Sequence, residues 1–223
     1  MPPCSIPFHR AARWSDATMP RSKSSHRWLK EHFSDPFVKR AQSEGWRSRA
    51  VFKLEELLER DRLLKPGMVV VDLGAAPGGW SQMVRQRLGD AGRVVALDIL
   101  PMKGLAGVEI IEGDFREDAV VQQLKTILDG AVVDLVLSDM APNISGVESA
   151  DQARAMHLAE LVQDFCTSHL KPGGAFLVKL FQGRGSDEYL KSLRAAYERV
   201  SIRKPKASRA RSAEVYALAT GKR

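Results

Sequence analysis

Short apolar runs recur along the chain: "MVVVDL" (68–73), "VVALD" (94–98), "VEII" (108–111), "VDLVLS" (133–138) and "AFLVKLF" (175–181), with helical stretches between them. Parallel strands need long crossover connections, which helices usually provide, so this alternation restricts the chain to an α/β fold with a parallel, doubly wound sheet. In the longest helical stretch Leu158, Leu161, Val162, Phe165 and Cys166 fall at i, i+3, i+4, i+7 and i+8, which predicts one apolar face. "LKPGG" (170–174) ends that helix with proline and glycine. Two late strands, near 199–203 and 214–219, are joined by a basic, proline-containing loop. A connection that short suits an antiparallel hairpin rather than another crossover unit.

With 223 residues the chain is long enough for one domain with a sizeable core and an appendage. No apolar run approaches the length of roughly 18 residues or more that a bilayer-spanning helix needs. Cys4 and Cys166 form no metal-ligand spacing and no disulfide framework, and the five histidines add no metal spacing. The expectation is a reduced, cytoplasmic, metal-free monomer. Residues 1–20, with Pro2, Pro3, Pro7 and Pro20, read as a disordered extension, and residues 21–223 as one domain. The net charge of +7 is unevenly placed. Residues 21–53 hold nine basic residues (Arg21, Lys23, Arg27, Lys30, Lys39, Arg40, Arg47, Arg49, Lys53) against three acids, and residues 199–212 hold six basic residues and no acid. Basic charge gathered at two places on an otherwise mildly acidic chain points to a polyanion such as nucleic acid. Trp28, Phe33, Phe37 and Trp46 interleave with the first basic stretch and either stack on bases or pack that segment onto the domain.

"VVVDLGAAPGGWSQ" (69–82) is a strand, a glycine-rich turn and the opening of a helix. Its glycines, at 74, 78 and 79, do not match the dinucleotide spacing, and a tight strand-to-helix turn alone would also explain them. Two acids strengthen the case for a ligand. Asp98 ends the second strand, where a carboxylate can take both hydroxyls of a ribose, and Asp114 follows the third, placed to accept an adenine amino group. The set suggests an adenosine-containing cofactor. With no phosphate-binding Lys-Ser/Thr loop, S-adenosylmethionine is favoured over a nucleotide.

Lys179 interrupts the apolar fifth run, and a buried lysine is costly unless paired or neutral. Asp139 ends the fourth run, so both would face the crevice at the carboxyl edge of the sheet. A structural ion pair is the competing reading. Lys53, at the edge of the stripe Ala50, Leu54, Leu57 and Leu58, and Glu214, at the start of the last strand, are further candidates that could equally be surface residues.

"SRAVFKL", "DLGAAPGGWSQ", "LSDMAPNISG", "VKLFQG" and "SRARSAEVY" together resemble the FtsJ/RrmJ family of ribosomal RNA 2′-O-methyltransferases, in the family's order and from about residue 22 to 221. The resemblance implies a Rossmann-like, S-adenosylmethionine-dependent fold with a seven-stranded, mostly parallel sheet. It places the family's catalytic tetrad on Lys53, Asp139, Lys179 and Glu214, and its cofactor contacts on Gly78, Trp80, Asp98, Asp114 and Asp139. It implies as substrate a uridine ribose in the aminoacyl-tRNA-binding loop of 23S rRNA, in the large ribosomal subunit. Methylation of tRNA, or a non-catalytic role in ribosome assembly on the same scaffold, are the alternatives.

A ribose hydroxyl is a poor nucleophile until a base holds its proton, whereas a methyl on sulfonium is already activated. Such a reaction needs alignment and a positioned proton acceptor, with no metal and no covalent intermediate. A lysine can accept a proton only when neutral, a form favoured by burial and nearby cations. Lys179 is therefore the expected acceptor, oriented by Asp139, with Lys53 and Glu214 fixing the ribose.

Overall fold

The computed structural model describes residues 35–209 and 212–223. Helices α1 (Pro36–Ser43) and α2 (Val51–Asp61) precede strand β1 (Val69–Leu73). Then follow α3 (Gly79–Leu88), β2 (Arg93–Asp98), β3 (Val108–Glu112), α4 (Asp118–Leu128), β4 (Val133–Ser138) and α5 (Glu148–His169). The chain closes with β5 (Leu170–Phe181), α6 (Ser186–Ala196), β6 (Tyr197–Arg203) and β7 (Glu214–Lys222). The seven strands form one sheet in the order β3-β2-β1-β4-β5-β7-β6. Strands β1 to β5 pair in parallel, whereas β7 is antiparallel to both β5 and β6. The expected α/β architecture and terminal hairpin are both present. Strand order reverses between β1 and β4, and such a switch point opens a ligand crevice at the carboxyl edge.

Side chains alternate across the sheet, so each strand feeds two cores. Val71, Leu73, Val95, Leu97, Val136, Phe176 and Val178 pack with residues of α4, α5 and α6. Val70, Val94, Leu135, Leu137, Leu177 and Leu218 pack on the other side with Leu54 and Leu57 of α2 and Met83 and Val84 of α3. Each such fully buried aliphatic side chain contributes about 1.5–3 kcal/mol relative to exposure.

Two local expectations shift. In α5 the buried stripe is Ala155, Met156, Ala159, Val162, Phe165 and Cys166, while Leu158 and Leu161 are half-buried. Ala155 and Ala159 share the buried stripe with the larger Met156 and Phe165, and the leucines fall at its margin. The segment 170–174 ends α5 but also begins β5: Leu170 pairs with Val133, and the register then shifts before Ala175 pairs with Leu135. Pro172 has no N–H to give a ladder, so its neighbourhood bulges instead of pairing.

The expected extension at residues 1–20, and Arg21, Lys23, Arg27, Lys30, Trp28, Phe33 and Arg211, lie outside the described residues. Phe37 and Trp46 pack against the core beside α2, with Phe37 5.7 Å from Phe52 between ring centres, so these two serve packing.

Candidate active site

Residues on the α2–α3 side of the sheet turn from apolar to polar where the strands end. Val70 is followed at the same parity by Asp72 in β1, Leu135 and Leu137 by Asp139 after β4, and Leu177 by Lys179 in β5. On β7, which runs the other way, Leu218 is preceded by Tyr216 and Glu214. Lys179 and Tyr216 are direct cross-strand partners. Helix α2 lies over this face and contributes Lys53. One face of the sheet thus delivers three of the four tetrad candidates, and the helix packed on it delivers the fourth, to the same place.

Their contacts form a chain. Lys179 Nζ lies 3.1 Å from Asp139 Oδ1 and also donates to the Asp139 carbonyl oxygen. Asp139 Oδ1 accepts from the Tyr216 hydroxyl at 2.6 Å. Lys53 Nζ is 3.3 Å from that hydroxyl and donates to Glu214 Oε1 at 2.7 Å. The Lys179 side chain is 8% exposed, and those of Lys53 and Glu214 are each 13% exposed. A surface reading of the second pair is therefore wrong: α2 and β7 enclose both groups. Tyr216 was not a sequence candidate, because an aromatic in a strand reads as core. Burial pushes its phenol well above the usual range, and Asp139 and Glu214 add to the effect, so it remains a donor at neutral pH. It is the link between the two ion pairs.

The glycine loop lies beside this cluster. Gly74 has φ +77°, and a Cβ there would be 2.6 Å from Met140 Cγ and 2.9 Å from the Met140 nitrogen. Gly78 has φ +101°, and a Cβ would come within 2.8 Å of Met102 Sδ and 2.9 Å of Arg47 Nη1. Both positions need a residue without a side chain. Asp98 accepts the Ala76 N–H on Oδ2 and the Leu100 N–H on Oδ1, each at 2.8 Å, joining the glycine loop to the end of β2. Asp114 is gripped by its neighbour Arg116, whose Nε lies 2.9 Å from Oδ1, and this hydrogen bond holds the carboxyl below its usual range. Carboxylate oxygens accept more than one hydrogen bond, so both acids retain capacity for further donors. Trp80 is different: its indole is 3% exposed and donates to the Ala50 carbonyl at 2.8 Å. What it offers a ligand is its backbone N–H in the first turn of α3, where helical N–H groups lack intrahelical partners.

Asp72 is a second residue that sequence reasoning passed over, hidden inside the glycine motif. It is fully buried, its Oδ2 accepts from Ser81 Oγ at 2.5 Å, and its Oδ1 has no protein partner. Burial pushes the carboxyl up to about 7; the Ser81 hydrogen bond opposes this, and the charges of Asp139 and Asp98 add to it. Between the ordinary carboxylate range and about 7 the folded chain holds a proton that the unfolded chain releases. Stability from this group is therefore full at low pH and declines as pH rises through that window. Asp72→Asn removes the dependence. Its stability relative to the parent should rise by as much as about 3 kcal/mol between about pH 5 and about pH 8. Denaturant unfolding at the two pH values checks this, and a difference that does not change with pH contradicts it.

The first basic stretch is partly committed within the protein. Arg47 donates to the carbonyls of Pro77, Lys103 and Gly104 at 3.3, 2.7 and 2.6 Å, tying the glycine loop to the segment after β2. Arg49 donates to the Ala207 carbonyl, and Arg40 pairs with Glu44 and Glu55. Lys39, Lys204 and Lys206 are exposed, and Arg209 is half-buried. Among the described residues no group of three potential ligands could hold a metal ion, and no helix is long and apolar enough to cross a membrane.

The profile of the FtsJ-like methyltransferases matches residues 46–222. A protein of Xanthomonas euvesicatoria pv. vesicatoria named Ribosomal RNA large subunit methyltransferase E is 71% identical over 203 residues, covering 91% of this chain and 97% of the relative. A protein of the same name from Stenotrophomonas maltophilia is also 71% identical, with the same coverage. A crystal structure of a Plasmodium falciparum protein named as a ribosomal RNA methyltransferase superposes with a TM-score of 0.71 at 26% identity, over 79% of this chain and 98% of that one.

Proposed function

The chain belongs to the FtsJ-like methyltransferase family, and on that premise we propose that it methylates a ribose 2′-oxygen of large-subunit ribosomal RNA, using S-adenosylmethionine. The target in this reading is a uridine in the aminoacyl-tRNA-binding loop of 23S rRNA, and residues 21–223 act as one catalytic domain. The observation that carries the reading is the linked set Lys179–Asp139–Tyr216–Lys53–Glu214 at the carboxyl edge, next to a glycine loop too tight for side chains. The names of the relatives support the choice of RNA.

The residues present fit the cofactor. Asp98 would hold its ribose hydroxyls, Asp114 its adenine amino group, and the backbone at Gly78 and Trp80, with Asp139, the remainder. When bound, S-adenosylmethionine supplies a methyl group already activated on sulfonium. The protein's own work is then alignment and proton removal. Lys53, held by Glu214, fixes the target ribose. Lys179 Nζ, in its neutral amine form, takes the 2′-hydroxyl proton as the oxygen takes the methyl, and the ammonium so formed is paired by Asp139, whose carboxylate and carbonyl also fix its direction.

Exposed Lys39 and Lys206, with Arg209, can meet phosphates, as can Lys204 through the N–H groups left over from its donation to the Ser212 carbonyl. RNA affinity should fall at least tenfold between about 50 and about 200 mM salt, as counterion release requires for roughly four such contacts. Filter binding at several salt concentrations measures the slope, and a flat response contradicts phosphate contact.

Methyl-labelled S-adenosylmethionine incubated with unmodified large subunits, free 23S rRNA and tRNA tests the substrate. Label in large-subunit rRNA is the expected result. Label on tRNA alone would keep the chemistry and change the substrate, and no label on any RNA despite cofactor binding would favour an assembly factor.

A further inference from the structure

We propose that Ser208 is a positioning residue for the transfer, through which the basic β6–β7 loop holds Glu214 against Lys53; this rests on the functional reading above. Ser208 is 7% exposed, and its hydroxyl donates to Glu214 Oε1 at 2.8 Å. That oxygen also accepts from Lys53 Nζ at 2.7 Å. Two donors converging on one oxygen fix the carboxylate's rotation and so the position of the lysine it holds. A serine in a turn ordinarily bonds to nearby backbone. Here the local turn is closed by the backbone itself, Ser208 N–H to the Pro205 carbonyl at 2.9 Å, and the hydroxyl reaches β7 instead.

The loop that carries Ser208 is fastened on both sides. Arg203 pairs with Asp61 at 2.6 Å where the loop begins. The Lys206 N–H bonds Glu56 of α2 at 2.8 Å, and Arg49 donates to the Ala207 carbonyl. At its end the Glu214 N–H bonds Ser212 Oγ at 3.1 Å. The same short loop presents Lys204, Lys206 and Arg209, the cations suited to RNA phosphates. The loop that offers cations to RNA is thus the same segment whose Ser208 holds Glu214 in place.

Single-turnover rates with enzyme in excess, on unmodified large subunits, give the test. Ser208→Ala should slow transfer about tenfold, the loss expected for a hydrogen bond to a charged group. Its cofactor affinity by calorimetry should match the parent's, which also shows that the variant is folded. Ser208→Thr should restore most of the rate. In a Glu214→Ala background Ser208→Ala should cause no further loss, because its effect passes through Glu214. An unchanged rate in Ser208→Ala, a loss that Ser208→Thr does not reverse, or the full loss repeated without Glu214 each overturns the proposal. Absence of transfer by the parent chain is a different failure, seen before any variant is compared. It overturns the functional reading, and the role of Ser208 with it.

Discussion

Replacing Lys179 by methionine should cut methyl transfer by about 10²–10⁴-fold, the range a positioned proton acceptor contributes, while cofactor affinity stays within about twofold of the parent. The side chain is 8% exposed and lies 3.1 Å from Asp139 Oδ1, inside the face shared by β5 and β7. Methionine has a similar length and no amine, so it fills the same space while removing the proton acceptor and the cation that faces Asp139. The cofactor contacts proposed here come from the glycine loop and from Asp98, Asp114 and Asp139, none of which is altered directly. Calorimetry and single-turnover kinetics on the same preparation separate the two quantities. Equal losses in both would make Lys179 a structural partner of Asp139 and nothing more.

Asp139→Ala should act on both rate and stability. This carboxylate takes the Tyr216 hydroxyl at 2.6 Å and Lys179 at 3.1 Å. Its removal leaves a nearly buried ammonium without its counter-charge and a fully buried phenol without its acceptor. Breaking a buried pair from one side costs about 3 kcal/mol or more, and an abandoned buried hydroxyl adds about 1 kcal/mol. Transfer should fall at least as far as in Lys179→Met, since the amine loses its orientation. Asp139→Asn keeps an oxygen for Tyr216 and should recover much of the stability but little of the rate. Urea unfolding and turnover of the two variants check this. Equal stability of Asp139→Ala and the parent would show that the pair is not enclosed in solution.

The strands were legible because each is an apolar run ended by turn residues, and the terminal hairpin followed from a connection too short for a crossover. The insertion of β7 between β5 and β6 was not legible, since periodicity carries no information on strand order. Within the site, Lys179 stood out as a charge interrupting an apolar run and Asp139 as a charge closing one. Lys53 and Glu214 did not, because their enclosure depends on α2 crossing over β7, a contact between residues 161 positions apart. Tyr216 was concealed by its own chemistry, although its spacing of two from Glu214 already put both on one face. Asp72 was concealed by its motif: an acid beside a glycine turn reads as part of the turn, and only its burial and the lone Oδ1 mark it out. Arg47 reads as part of an RNA-binding charge run, yet its guanidinium is used on three carbonyls of the glycine loop and the segment after β2.

The central claim is that this chain places a methyl on a ribose oxygen with Lys179 as proton acceptor. Its most direct test is nucleoside analysis of large-subunit rRNA after incubation with methyl-labelled S-adenosylmethionine and either the parent chain or Lys179→Met. The predicted result is label in 2′-O-methyluridine with the parent, and almost none with the variant. Label on a base carbon or nitrogen, or in 2′-O-methyluridine to the same extent with both proteins, would contradict it.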